Sequence, residues 1–225
     1  MRRLLALLAL PGLAAAPPPA HPVARDWNRT VTRTPAGETV IGNPAARLKL
    51  VEYVSYTCPH CAAFTAESAP VLRARWVRWG QVSIAIHPAV REPLDLAAQM
   101  LARCSGARFG AVHDAIYAGQ QGWYGKGADY IRANIDPLNA QPVLPRLRAL
   151  ADGSGLTATA TAAGLTARAR DACFSTDTDM NRIVGLTDEA VKIIAGTPSF
   201  ALNGKFLGSG TWATLEPQLR DAGAH

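Results

Sequence analysis

Residues 53–61 read Tyr-Val-Ser-Tyr-Thr-Cys-Pro-His-Cys and place Cys58 and Cys61 directly after a β-branched and aromatic run. Such a run favours a strand, and the residues after it favour a helix with Pro59 in its first turn. Backbone N–H groups without partners and the helix dipole stabilise negative charge there. We therefore expect Cys58 to ionise more easily than a free cysteine, and a protonated His60 to add positive charge beside it.

A stabilised thiolate favours the reduced form of a Cys-x-x-Cys pair, so the disulfide form oxidises other thiols. The motif thus predicts thiol-disulfide exchange at Cys58 and Cys61. Half of a zinc site is the alternative, but it needs a second, closely spaced Cys/His pair. Neither Cys104 nor Cys173 has such a neighbour within four positions. We expect no metal, nucleotide or flavin, since no Gly-rich phosphate motif is visible either.

The N-terminus is typical of a secretory signal peptide. Met1–Arg3 is basic, Leu4–Leu10 is apolar, and small residues follow, which predicts a signal over 1–16 and a flexible segment over 17–30. The apolar run is shorter than the about 20 residues of a bilayer span. A buried N-terminal helix is the alternative, and Pro17–Pro19 argues against it. We therefore expect export to the periplasm.

The formal charge of +6 is spread along the chain without a basic block. The densest basic cluster combines arginines and tryptophans: Arg73, Arg75, Trp76, Arg78 and Trp79. An amphipathic helix with a solvated face explains this cluster, so we expect no nucleic-acid partner. A mild positive charge suits work near an anionic membrane surface.

The pattern of residues predicts a small α/β unit with a helical interruption. Strands are expected at 30–34, 48–55 and 81–86, a helix at 59–79, mostly helices over 92–188, a helix at 183–194, a hairpin at 199–207 around Asn203-Gly204, and a last helix from Thr211 to about 220. Residues 31–90 and 182–225 would then form one domain with a mixed sheet, and 91–181 an inserted all-α domain.

The chain resembles the DsbA-like thiol-disulfide oxidoreductases, in which a helical domain interrupts a thioredoxin-like fold. The resemblance rests on three features: the Cys58–Cys61 motif, Glu52 six residues before the first cysteine, and Gly196–Phe200 ahead of Asn203-Gly204. It extends from about Pro35 to the C-terminus. The combination, in this order, is more specific than any one of its parts.

The resemblance implies roles for individual residues. Cys58 would be the exposed nucleophile and Cys61 the buried resolving thiol, with Pro59 and His60 between them. A cis bond between Thr197 and Pro198 would pack against this pair, with the Thr197 backbone facing substrate. The resemblance further implies that a quinone-linked membrane oxidase of the DsbB type recharges the enzyme.

Glu52 shares one strand face with Leu48, Leu50 and Val54, which favours a buried carboxylate over an exposed one. A buried acid near Cys61 could relay the proton that a resolving thiol must lose.

Two further cysteines, Cys104 and Cys173, lie in the predicted insertion. In an oxidising compartment they could form a structural disulfide, and two buried free thiols are the alternative. The other aromatic and histidine candidates are predicted to be structural: His87, His113, and Trp123 with Tyr124 in a packed Gly-rich loop.

These features together predict a monomeric oxidase of dithiols in reduced, unfolded exported proteins. A disulfide isomerase or reductase is the first alternative, since Thr197 resembles the isomerase-type loop. Related isomerases carry an N-terminal dimerisation domain, and about 30 residues between signal and core are too few for one. A non-enzymatic carrier of thiols or metal is the second alternative.

Overall fold

The structure, a computed structural model, describes residues 25–225; the predicted signal peptide and most of the predicted flexible segment lie outside this range. The strands are β1 (Val31–Arg33), β2 (Thr39–Gly42), β3 (Leu48–Val54), β4 (Val82–Pro88), β5 (Ser199–Leu202) and β6 (Lys205–Ser209). The helices are α1 (Pro59–Ser68), α2 (Pro93–Cys104), α3 (Phe109–Ala118), α4 (Gln120–Ala133), α5 (Ile135–Asn139), α6 (Val143–Gly153), α7 (Leu156–Ala162), α8 (Ala167–Ala172), α9 (Thr178–Ala190) and α10 (Trp212–Asp221). None of these helices combines the length and the apolar character that a membrane span needs.

The six strands form one mixed sheet in the order β1-β2-β4-β3-β5-β6. Strands β3 and β4 are parallel and joined through α1, while every other neighbouring pair is antiparallel. Helices α1 and α10 contact each other, and α9 contacts β4 and α2. The predicted thioredoxin-like fold with a helical insertion is confirmed, because α2–α8 lie between β4 and the C-terminal hairpin.

The hairpin is formed as the Asn-Gly signal predicts. Asn203 and Gly204 have φ values of 50° and 83°, the left-handed conformation that both central residues of a type I′ turn require. The Asn203 side chain also accepts a hydrogen bond from the Lys49 backbone N–H (2.8 Å), which ties the turn to β3.

Three elements differ from the sequence-based prediction. Strand β2 was not predicted, because its four residues are too few to show an alternation. The helix predicted over 59–79 becomes π-helical at Ala69–Val77, where Pro70 offers no N–H to an α-helical hydrogen bond. The helix predicted over 183–194 starts earlier and ends at Ala190, so α9 continues through the predicted boundary between 181 and 182.

A single apolar cluster extends from the sheet into the inserted helices. It includes Leu50 of β3, Phe64 of α1, Leu101 of α2 and Ile116 of α3, each at most 3% exposed. Buried aromatic rings pack Phe64 against Phe200, with centroids 4.7 Å apart. The insertion therefore shares its core with the thioredoxin-like part.

A disulfide joins Cys104, the last residue of α2, to Cys173, directly after α8, with Cα atoms 5.7 Å apart. It closes a long loop, since the two cysteines are separated by 69 residues. The bond ties α8, the last short helix of the insertion, to α2. Helix α2 in turn contacts α9, which packs on β4 of the sheet.

We expect the double variant Cys104→Ala/Cys173→Ala to lose roughly 4 kcal/mol of unfolding free energy, because the unfolded chain is no longer cross-linked. Urea unfolding of the wild type and the variant measures the loss. Adding a reductant to the variant supplies the control, since only Cys58 and Cys61 then respond. Equal stability of variant and wild type would contradict the expectation.

Candidate active site

The first two cysteines of the chain lie where β3 leads into α1. Cys58 is the N-cap of α1, with an extended backbone (φ −85°, ψ 117°), and Pro59 occupies the first helical position. Both Cys58 and Cys61 are free thiols. Cys58 is only 3% exposed, whereas the family resemblance implied an exposed nucleophile. The Thr197 carbonyl accounts for part of this cover, since it lies 3.2 Å from the Cys58 sulfur.

The loop that precedes β5 forms the other side of the site. The Thr197–Pro198 peptide bond is cis. The Cys58 thiol donates to the Thr197 carbonyl, and Ser199 pairs with Tyr53 of β3. The structure therefore brings Cys58, Thr197 and Pro198 together from positions that are far apart in the sequence.

The two cysteines differ strongly in acidity. A hydrogen bond from the Cys61 thiol lowers the pKa of Cys58 to about 4, assisted by the Thr197 side chain and by the backbone N–H groups of Cys61 and His60, and opposed by burial. Burial and the neighbouring Cys58 raise the pKa of Cys61 far above its ordinary value. His60 acts on Cys58 through its backbone, and its imidazole is exposed.

We expect Cys61→Ala to raise the pKa of Cys58 above about 4, because the largest stabilising hydrogen bond is lost. The value should stay below the about 8.5 of a free cysteine, since the backbone donors remain. Alkylation rates of Cys58 as a function of pH measure the change. Cys61→Ser keeps a hydroxyl donor and should lie between the wild type and the alanine variant; an unchanged midpoint in the alanine variant would refute this assignment.

Glu52 is buried on the α1 side of the sheet, between Ile86 of β4 and Phe200 of β5. Burial raises the pKa of Glu52 to about 8, against the attraction of the Arg73 guanidinium. Glu52 also faces an internal cavity of about 10 Å³, about the size of one water molecule. Within residues 25–225 no direct hydrogen bond joins Glu52 to Cys61.

Polar groups from α1 and α3 surround the same cavity. Thr65 lines it and donates its hydroxyl to the Cys61 carbonyl (2.9 Å). His113 also lines it, and its Nδ1 lies 2.9 Å from the Tyr56 hydroxyl. Burial lowers the pKa of His113 to about 3, so this imidazole is neutral at ordinary pH. A water in the cavity could therefore connect Glu52 to the helix that carries Cys61.

We expect Glu52→Gln to remove a pH dependence of stability. The pKa of Glu52 rises from 4.5 to about 8 on folding, so unfolding releases its proton and wild-type stability falls as pH rises between those values. At pH 7 the variant should be more stable by on the order of 3 kcal/mol, and near pH 4 the difference should vanish.

Urea unfolding at several pH values tests this expectation. The matched control is Glu67→Gln, which makes the same chemical change on an exposed face of α1. A Glu52→Gln variant whose stability follows the wild-type pH profile would show that Glu52 is not held protonated.

An open surface cavity of about 390 Å³ lies beside Cys58. Its walls are mostly apolar, and Arg91 is the cationic group in them. The residues that line the cavity beside Cys58 are His60, Ala89, Val90, Arg91, Val191, Ile194, Ala195, Gly196 and Thr197. Val191 is 62% exposed, although it is a large apolar residue. Sequence analysis missed this wall, because residues 191–194 were assigned to a helix that in fact ends at Ala190.

The histidine predicted to be structural at position 87 makes buried contacts away from the cysteines. His87 Nδ1 lies 2.7 Å from Glu38, and its Nε2 lies 2.8 Å from the Leu186 carbonyl. The contact with Leu186 connects β4 to α9, and the contact with Glu38 connects β4 to the residue before β2.

Trp123 and Tyr124 lie in α4 and not in the predicted loop. Of the nearby glycines, Gly127 serves close packing, because a Cβ atom there would lie 2.6 Å from a side-chain carbon of Leu94 of α2, whereas a Cβ atom at Gly122 or Gly125 would meet nothing within 4 Å. Trp123 is buried and donates to the Ile116 carbonyl (2.7 Å), whereas Tyr124 is 41% exposed.

Sequence analysis also missed a set of polar side chains from the insertion that contact the turn before Cys58. They are Asp95 of α2, Tyr117 of α3 and Gln120 of α4. Their partners lie 39 to 64 residues away, and no local pattern marks such contacts. Among residues 25–225, no three His, Cys, Asp or Glu side chains are grouped as a metal site.

Comparison with known proteins shows the family of this chain. A family model described as Thioredoxin matches residues 34–221. The chain belongs to the thioredoxin family. A solved protein-disulfide isomerase from Novosphingobium aromaticivorans is 34% identical, with a TM-score of 0.72 over 81% of this chain and 95% of that one. The alpha-DsbA1 of Wolbachia pipientis shares the fold, with a TM-score of 0.61 at 19% identity over 81% of this chain and 88% of that chain.

Curated relatives agree with this family. A Rickettsia bellii protein, assigned provisionally as a protein-disulfide oxidoreductase, is 29% identical over 74% of this chain. A second such protein, from Rickettsia conorii, is 32% identical over 38% of this chain. The matches cover 57% and 32% of the relatives' own lengths. The resemblance to DsbA-like proteins that the sequence indicated is confirmed.

Proposed function

We propose that this protein is an exported thiol-disulfide oxidoreductase that oxidises dithiols in newly translocated proteins. One observation carries the proposal: Cys58, at the start of α1 and beside the Thr197 carbonyl, has a pKa lowered to about 4 while that of Cys61 is raised. The names of the relatives support the same reaction class.

The reaction proceeds by two exchanges. A substrate thiolate attacks the Cys58 sulfur of the oxidised pair, the Cys58–Cys61 bond breaks, and Cys61 leaves and takes a proton because its pKa is high. A second substrate thiolate then attacks the substrate sulfur of the mixed disulfide. Cys58 leaves as a thiolate, and two electrons have passed from the substrate to the pair.

The acidity of Cys58 sets the preferred direction. A thiol of low pKa leaves readily, and a stable thiolate stabilises the reduced pair. The disulfide should therefore be more oxidising than that of thioredoxin, which has a potential of about −270 mV.

Glu52 fits the role of a proton donor and acceptor for Cys61. With a pKa of about 8, it is mostly protonated at neutral pH and can supply the proton that the departing Cys61 needs. The adjacent cavity, of about 10 Å³, offers a place for one relaying water.

The mostly apolar cavity beside Cys58 suits an unfolded polypeptide, with Arg91 as the cationic group in its wall. Recharging of the reduced pair is assigned to a quinone-linked membrane oxidase of the DsbB type, in the periplasm, with this protein as a monomer. Nucleic acid has no part in the proposed cycle.

Isomerisation of wrong disulfides is the second candidate, favoured by the name of the Novosphingobium aromaticivorans relative. An isomerase attacks existing disulfides from its reduced form, whereas an oxidase accepts electrons in its disulfide form. Rearrangement of a wrongly paired, disulfide-bonded protein by the reduced Cys58–Cys61 pair therefore tests isomerisation directly. The Cys58–Cys61 potential, measured by equilibration with glutathione, tests the oxidase: a potential near or below about −270 mV would exclude it.

We expect Cys58→Ala to abolish oxidation of a reduced unfolded protein. We expect Cys61→Ala to accumulate mixed disulfides when it is incubated with a disulfide-bonded protein: the Cys58 thiolate attacks that disulfide, one substrate sulfur leaves as a thiolate, and no Cys61 is present to displace the other. Mass spectrometry after incubation with the disulfide-bonded substrate detects the adducts. The double variant Cys104→Ala/Cys173→Ala is the control and should keep activity. Adducts on the Cys58→Ala variant would reverse the two roles, and tight metal binding without turnover would favour a carrier.

A further inference from the structure

Gln120, the first residue of α4, is buried against the active-site turn and is 7% exposed. Its side-chain nitrogen lies 2.7 Å from the Tyr56 carbonyl and 2.9 Å from the Cys58 carbonyl. A side-chain amide nitrogen carries two hydrogens. Both are therefore donated to the turn that holds the nucleophilic sulfur.

The positions of these two carbonyls fix the backbone conformation on both sides of Thr57. The Cys58 carbonyl also accepts from the Ala62 N–H (3.3 Å) and so begins the hydrogen-bond ladder of α1. Its direction fixes how the Cys58 sulfur faces the N–H groups of His60 and Cys61, which lower the Cys58 pKa. A shift of this carbonyl would move the sulfur relative to its donors.

The same amide has an electrostatic effect. Two carbonyl oxygens converge on one nitrogen in a buried region, and each presents negative partial charge close to the place of the thiolate. The Gln120 N–H groups compensate that charge. Without them, the buried Tyr56 and Cys58 carbonyls would each lose a hydrogen-bond donor. Their negative partial charge would then destabilise the thiolate form of Cys58 more than its thiol form.

Other groups hold the upstream part of the turn. Asp95 accepts from the Tyr56 N–H (2.8 Å) and the Arg91 N–H (3.0 Å), and the Tyr117 hydroxyl donates to the Ser55 carbonyl (3.2 Å). Among these side chains of the insertion, Gln120 is the one that bonds to the backbone of Cys58 itself.

We propose that Gln120 is a positioning residue for thiol-disulfide exchange: its amide clamps the Tyr56 and Cys58 carbonyls and so keeps the Cys58 sulfur aimed at the first turn of α1. The effect of Gln120 on catalysis rests on the function proposed above, whereas its effect on the position of the Cys58 sulfur does not. The insertion would thereby tune the nucleophile directly.

Gln120→Met tests the proposal, because methionine keeps a similar length and removes both donors. The matched control is Gln121→Met, one residue further on an exposed position. We expect the pH midpoint of Cys58 alkylation to rise by about one unit in Gln120→Met, a tenfold loss of thiolate below the midpoint. The equilibrium with glutathione should shift toward the disulfide form of the pair, and both readouts should stay at wild-type values in Gln121→Met.

A second pair of variants guards against misfolding. Gln120→Glu keeps the size of the side chain, can donate at most one hydrogen bond, and places negative charge near the thiolate when ionised. We expect it to raise the alkylation midpoint as well, while Gln121→Glu, with the same charge change, should not.

Wild-type midpoints and glutathione equilibria in whichever Gln120 variant folds would overturn the proposal, even if its thermal stability fell. Neither readout requires turnover. A wild-type protein that fails to oxidise substrates would therefore count against the proposed function and not against the role of Gln120.

Discussion

The position of Cys58 at the N-cap of α1 is the constraint on which the site depends. The sulfur must lie within reach of the first-turn N–H groups and of the Thr197 carbonyl at the same time. Strand β3 leads into the turn that carries Cys58. Because β5 pairs with β3, the loop that carries Thr197 lies beside that turn. The mixed sheet is thus the frame that joins two segments about 140 residues apart.

The local parts of this arrangement could be predicted from the sequence. A β-branched run before Cys58, a proline at the first helical position and an Asn-Gly pair in the hairpin each act on the backbone within a few residues. The acidity of Cys58 follows in large part from the same local geometry, although the stabilising groups are the Cys61 thiol and the first-turn backbone, with Thr197 from the distant loop, rather than the imidazole of His60.

The parts that escaped prediction depend on contacts between distant segments. Strand β2 is recognisable only once β1 and β4 flank it. The end of α9 at Ala190 exposes Val191 in the wall beside Cys58, and no glycine or proline marks that end before Gly196. Asp95 and Gln120 are ordinary polar residues of helices until the fold places them against backbone groups of the turn.

The shared apolar core has a consequence for how the molecule opens. Because Leu101 and Ile116 of the insertion belong to the same buried cluster as Leu50 of β3, separating the two parts would expose the interior of both. We therefore expect the active-site turn, held by groups of α2, α3 and α4, to exchange its amide hydrogens together with the shared core rather than as a loosely opening segment. The two free thiols are thus carried by a turn that three helices of the insertion brace against the sheet.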